Sequence, residues 1–282
     1  MVRPHPPRFR YELTDETIEV DGATLHRIIA AFDHPFLRVS AGDLGGFVES
    51  RKNLIDNAWV FDDAMVYGDA VVAENVLVRN NSRVSGKARV QGCVRAQGRC
   101  TITGGALVKD NVRVSDDATI SGGIISGHAH ISGRAHILQS AQVFDNATIG
   151  EDAVIRDNAR VFGDASVSGK SVLFDNAWVF DRASIDGCAK VGGDSRVYGN
   201  TSMDNLSRVC GRARVFGDTQ LRDYAVVDGD AVVAGDGYRF SWEVSHAGVL
   251  LSGEMHVTGN AFIGGDTHLS GDDVIEGYTV MW

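Results

Sequence analysis

The stretch Ala58-Trp59-Val60-Phe61-Asp62-Asp63-Ala64-Met65-Val66-Tyr67-Gly68-Asp69 says one thing twice: a small residue, any residue, an aliphatic one, then a group rich in Gly, Asp or Asn. The same phase carries Ala147/Ile149, Ala153/Ile155, Ala159/Val161 and Ala165/Val167. In an extended segment the first and third residues of Ala-x-Val point the same way and the middle one points out. Gly, Asn and Asp tolerate the backbone angles of a tight corner. Six residues therefore make one short strand and one corner, and a short internal period of this kind is the mark of a solenoid.

Working outward, the hexads run from about residue 46 to residue 233, with Gly46/Val48 and Lys52/Leu54 as the first two in phase. Around Ser121-Gly122-Gly123-Ile124-Ile125-Ser126-Gly127 the phase slips by one residue, which reads as a deletion at a corner. Segment 234–252 breaks the pattern as an inserted loop, and residues 253–282 return to it as terminal coils, with Met255/Val257, Ala261/Ile263 and Thr267/Leu269. Residues 1–45 are not repeat. There Val20-Asp21-Gly22 is a turn signal between two strand-like runs, which predicts a small β-hairpin. A solenoid end exposes unpaired backbone, so this hairpin is expected to cap the first coil.

The number of sides follows from the outward residues. The position after the aliphatic is aromatic at Phe144, Phe162, Phe180, Tyr198 and Phe216, every eighteen residues rather than every six. Eighteen is three hexads, so each coil is a triangle. The sequence predicts an all-β, three-sided parallel β-helix of about twelve coils, with Val and Ile stacked inside against columns of Ala, Ser and Thr.

Composition sets the limits on function. The net charge of −10 over 282 residues argues against binding nucleic acid with the whole surface. No apolar run is long enough to cross a membrane, and the first residues lack the apolar core of a signal peptide. A cytoplasmic protein with no membrane or nucleic-acid partner is expected. With 33 Gly but only 4 Pro, the glycine reads as turn glycine rather than as a flexible linker. Cys93, Cys100, Cys188 and Cys210 have no metal-ligand spacing and read as reduced thiols, Cys100 in an inward slot.

The in-phase hexads resemble the hexapeptide-repeat proteins. Gly42-Asp43-Leu44-Gly45-Gly46-Phe47-Val48 through Leu54, with Tyr11-Glu12-Leu13-Thr14 and Arg27-Ile28-Ile29-Ala30, is similar to the YdcK-type acyltransferases and related phage-borne solenoids. The resemblance implies a left-handed coil, acyl transfer from acetyl-CoA or another acyl-CoA to a small hydroxyl or amine, a homo-oligomer that is usually a trimer, and a histidine as general base. The sequence departs from the enzymes in having Gly directly after the aliphatic at few sites, such as Ile149-Gly150 and Val191-Gly192. The alternative is a non-catalytic scaffold or binding solenoid that uses its outward ladders for oligomerisation or partner docking.

Candidate residues follow from where the repeat breaks or its surface is patterned. His246 lies in the long insertion beside Tyr238, Trp242 and Glu243. It is the candidate base, with Glu243 to orient it, against a plain covering flap. His128, His130 and His136 form a second group, with His130 and His136 on adjacent sides, and no metal is expected there. The aromatic ladder runs beside Arg160, Trp178, Arg196 and Arg214. It is expected to be an apolar strip, read as covered by another segment, as a subunit interface, or as a ligand site. Thr148, Ser166, Ser184 and Ser202 form a hydroxyl row. Arg83, Arg89, Arg95 and Arg113, with Arg160, Arg196 and Arg214, read as an arginine stripe.

Overall fold

The computed structural model describes residues 10–34, 37–235 and 248–281. Every regular element among them is a β-strand, and none is a helix long and apolar enough to cross a membrane. The chain winds into a parallel β-solenoid of about twelve turns at about eighteen residues per turn. It divides into two compact units, Met1–Gly133 and Arg134–Trp282.

In the first unit, β1 (Tyr11–Val20) and β2 (Ala23–Ala30) form an antiparallel hairpin closed by Asp21 and Gly22, both at positive φ. Next comes β3 (Leu44–Val48), antiparallel to β2 on one edge and parallel to the coil strand Met65–Val66 on the other. The hairpin thus continues one sheet of the solenoid and pairs the edge that the first coil would leave open. Arg27 locks the junction. Its guanidinium donates to the Gly45 carbonyl at 3.0 Å and to Glu16 at 2.7 Å, and lies 4.2 Å from the Phe47 ring centre. The Tyr11 hydroxyl donates to the Leu54 carbonyl, and burial pushes its phenol up to about 12.

Each coil contributes one two-residue strand to each of three sheets. In the first unit Trp59, Leu77, Arg95, Arg113 and His130 follow one another up one sheet in parallel register. The last step, from Arg113 to His130, is seventeen residues instead of eighteen, as the phase slip in the sequence requires. One inward assignment is corrected. Lys52 does not enter the core but stays exposed beside Asp69. Asn53 is fully buried instead, donating to the carbonyls of Gly68 and Ala70. A lysine ammonium in the small slot would have been buried without a counter-charge, whereas an amide finds two backbone acceptors.

In the second unit the three sheets continue the same rule, with Ala153, Ile155, Ala159, Val161, Ala165 and Val167 at 0 to 1% exposure. Each buried Val or Ile contributes on the order of 1.5–3 kcal/mol. The left-handed backbone falls on the residue two after the aliphatic, such as Asp157 (φ 59°), Gly163 (φ 70°) and Asp175 (φ 56°). Where that residue is acidic it has a second use. Its carboxylate accepts from the corner N–H one coil on: Asp145 from Gly163, Asp157 from Asp175, Asp175 from Gly193 and Asp181 from Gly199, at 3.1–3.3 Å. This gives a partner to a backbone donor that the strand ladder leaves over.

The register lengthens from eighteen to thirty residues between Arg208↔Val226 and Val226↔His256. The extra twelve are residues 236–247, outside the described residues. On either side the strands reach Gly235 and resume at Val249, inside the 234–252 span read as a loop. A Cβ on Gly235 or Gly248 would fall 2.3 or 2.1 Å from the Asp218 carbonyl oxygen, so the chain leaves and re-enters the coil at glycines pressed onto one corner.

Candidate functional site

In the second unit one sheet carries Gln142, Arg160, Trp178, Arg196 and Arg214 on successive strands, all facing outward. Two residues after each lies the aromatic column. Because the backbone repeats at strand spacing, the rings are forced into register: Phe144–Phe162, Phe162–Phe180, Phe180–Tyr198 and Tyr198–Phe216 are 4.8, 4.8, 4.7 and 4.9 Å apart, within 9° of parallel. Trp178 meets Phe162 edge-on at 6.2 Å and is flanked by the guanidinium groups of Arg160 and Arg196 at 5.1 and 4.8 Å. Burial is the main cause that raises the Tyr198 phenol, opposed by Arg214 and Arg196.

The stacking changes what this strip offers. All five rings are half-buried rather than exposed, because each covers its neighbour's face. The outer edges remain for contact, and the interior rings have no free face for a ligand to stack on. The expectation of a bare apolar strip is corrected in that respect.

The predicted base fares differently. His246 and Glu243, with Trp242 and Tyr238, lie outside the described residues. A pair that sequence reasoning missed sits nearby in the chain. One Asp228 oxygen lies 3.3 Å from His256 Nε2, out of hydrogen-bond geometry, and the other accepts from the Thr258 hydroxyl. The signal was hidden because Asp228 and His256 are twenty-eight residues apart, and Thr258 thirty, across the lengthened register, whereas the repeat brings together residues eighteen apart. Cys210, one coil before Asp228 in the same column, has its thiol raised by burial.

The hydroxyl row is in register, Thr148↔Ser166↔Ser184↔Ser202, and continues to Gln220. At its end a cavity of about 380 Å³ is lined by Asn200, Ser202, Asp218, Gln220, Leu250 and His268. Of the histidine group, His128 and His130 belong to the first unit, His128 at a corner 3.4 Å from the Asn111 amide and His130 beyond Arg113 on its sheet. His136 is exposed on a strand of the second unit paired with Val154. Among the described residues no three His, Cys, Asp or Glu side chains converge to hold a metal ion.

The arginine stripe is corrected. Arg83 pairs with Met65 and Thr101, Arg89 with Val71 and Leu107, and Arg95 with Arg113, so these residues fall on three sheets. A spacing of six moves a residue to the next side of the triangle, and only eighteen returns it.

No protein-family model matches the sequence, and a search of curated proteins finds no match.

Proposed function

We propose that this chain is a non-catalytic β-solenoid scaffold that self-associates through the edge of its aromatic ladder. The observation that carries the reading is the run of five parallel rings at 4.7–4.9 Å, flanked by Arg160, Arg196 and Arg214. Ring edges aligned in a row present a rigid apolar contact with no rotamer freedom left to lose, which lowers the ordering cost of association. Beside it, exposed Arg196 and Arg214 and half-buried Arg160 supply the polar rim that protein interfaces carry. The occupant is a second copy of this chain, whose net charge of −10 complements the arginines.

The test is R160E/R196E, which reverses the rim charge while leaving the stack intact. Light scattering after size exclusion reads the mass. An oligomer for the native chain and a monomer for the variant support the reading, and an unchanged mass removes it. F162S/F180S/Y198S is the harsher companion and is read with circular dichroism, because it also removes the stack.

A second reading, acyl transfer from an acyl-CoA to a hydroxyl or amine, draws on the resemblance of residues 42–54 to the YdcK-type acyltransferases and on His256, a candidate base 3.3 Å from the Asp228 carboxylate. Calorimetric titration with acetyl-CoA tests it. No heat at millimolar ligand, with no free coenzyme A released over a panel of amines and sugars, would set it aside.

A further inference from the structure

We propose that the first unit carries a groove for an acidic polysaccharide. Three cavities of about 310, 310 and 360 Å³ lie along one sheet of Met1–Gly133 and share their walls. The first and second share Arg95 and Gln97, and the second and third share Arg113 and His130. Each has the size of a small-ligand subsite. The subsites repeat as the coils repeat, which suits a ligand that is itself a repeating chain.

The groove is basic in an acidic protein. Arg38 and Arg79 stand at one end, Arg95 and Arg113 follow one coil apart, and His128 and His130 close the other end. Arg38, Arg95 and Arg113 are exposed and form no ion pair with another described residue. The carboxylates at the adjoining corners are already engaged: Asp110 accepts from the Gly127 N–H, and Asp116 from the Gly133 N–H and the Ser115 hydroxyl. Like charges one coil apart repel, so the row is costly until an anion lies between them. A guanidinium presents a planar fork that fits carboxylate or sulfate oxygens.

The remaining lining chooses among anions. Gln97 offers an amide between Arg95 and Arg113, and Asn111 a second beside Arg113 and His128, a pattern for sugar hydroxyls, while Leu37 and Leu77 supply apolar surface for the C–H face of a ring. Single-stranded nucleic acid needs aromatic platforms for its bases. Among the described residues no Phe, Tyr or Trp lines these cavities, and the nearby Phe61 ring is covered by Arg79 at 4.2 Å. The proposal rests on the first unit's residues and is independent of the ladder reading.

The experiment is calorimetry of the full chain with hexagalacturonate as the carboxylated probe, a sulfated dextran oligosaccharide as the sulfated one, and maltohexaose as the neutral control. Binding of at least one acidic probe is expected, weakened at least tenfold by R95A/R113A and by added salt. The control R208A, an exposed arginine of the second unit, leaves affinity unchanged. Circular dichroism reports folding, and R95Q/R113Q replaces the alanine pair if that fails to fold. No heat from either acidic probe at millimolar concentration overturns the proposal. So does equal loss in R208A, maltohexaose binding as tightly, or oligothymidylate binding more tightly than both glycans. A change in oligomer mass in R95A/R113A without a change in glycan affinity also overturns it, since the groove would then hold a second copy.

Discussion

Phe180 sits in the middle of the aromatic column and Phe216 near its end, so replacing each with alanine weighs the stack directly. Phe180 is sandwiched between Phe162 at 4.8 Å and Tyr198 at 4.7 Å, whereas Phe216 stacks on Tyr198 at 4.9 Å and faces the backbone register of Ala234 on the other side. Stacked pairs contribute about 0.5–1.5 kcal/mol each beyond area burial. Loss of two pairs in Phe180→Ala therefore costs about 1–3 kcal/mol. Removal of a half-buried ring adds about 1 kcal/mol in either variant. Phe216→Ala forfeits a single pair, so it should be milder by about 0.5–1.5 kcal/mol. Solenoids open locally, coil by coil, so the assay is native-state hydrogen exchange at the ladder amides rather than one global melt. The amide of Phe180, which donates to the Val197 carbonyl, is the reporter. A double-mutant cycle with Tyr198→Ala should return a coupling of about 0.5–1.5 kcal/mol. If Phe180→Ala proves no costlier than Phe216→Ala and the coupling is zero, the rings are merely adjacent and the ladder stabilises nothing.

At the corners, Asp175→Ala places an ordinary Cβ residue at φ 56° and removes the acceptor for Gly193, so urea midpoints should report a loss of about 1–2 kcal/mol. Asp175→Gly loses only the acceptor and should cost less, and a reversed order would discredit the strain argument. Gly192→Ala puts a methyl 2.2 Å from Phe174 Cζ and should cost about 1–3 kcal/mol, largely relieved in G192A/F174L. Additive costs in that pair would mean that Phe174 does not cover the glycine. Cys100, buried against the Ser82 hydroxyl and pushed up to about 11 by burial, should react with a thiol reagent at pH 8 only after unfolding, while exposed Cys93 reacts in the native protein. Fast native labelling of Cys100 would count against its inward slot.

The winding of this chain is written plainly in its sequence, because one physical rule governs both. An inward slot admits only small or aliphatic residues, so Ala159 and Val161 announce themselves, and eighteen-residue spacing places Phe162 beside Phe180 without any need for coordinates. The rule weakens where local chemistry offers two solutions. Lys52 occupies the expected small slot by count, but Asn53 wins it by satisfying two carbonyls. Arg83, Arg89, Arg95 and Arg113 look like one stripe along the chain yet turn onto three sheets. The basic groove was hidden for a related reason. Arg79, Arg95 and Arg113 come from two adjacent outward columns, and Arg38 comes from the segment between β2 and β3. His256 and Asp228 were hidden by the register change across 236–247. Sites here are assembled from phase breaks and cap residues, which a repeat pattern does not index.

The account depends on eighteen residues closing one turn, and a paired-cysteine oxidation measures that most directly. Ser166 and Ser184 are register partners on neighbouring strands, while Trp178 belongs to a different sheet. Adjacent strands lie about 4.8 Å apart, within the span of a disulfide. Mass spectrometry after mild oxidation should find the S166C/S184C crosslink in high yield and none in S166C/W178C. A crosslink in the second variant, or its absence in the first, would contradict three-sided winding and every surface assigned from it.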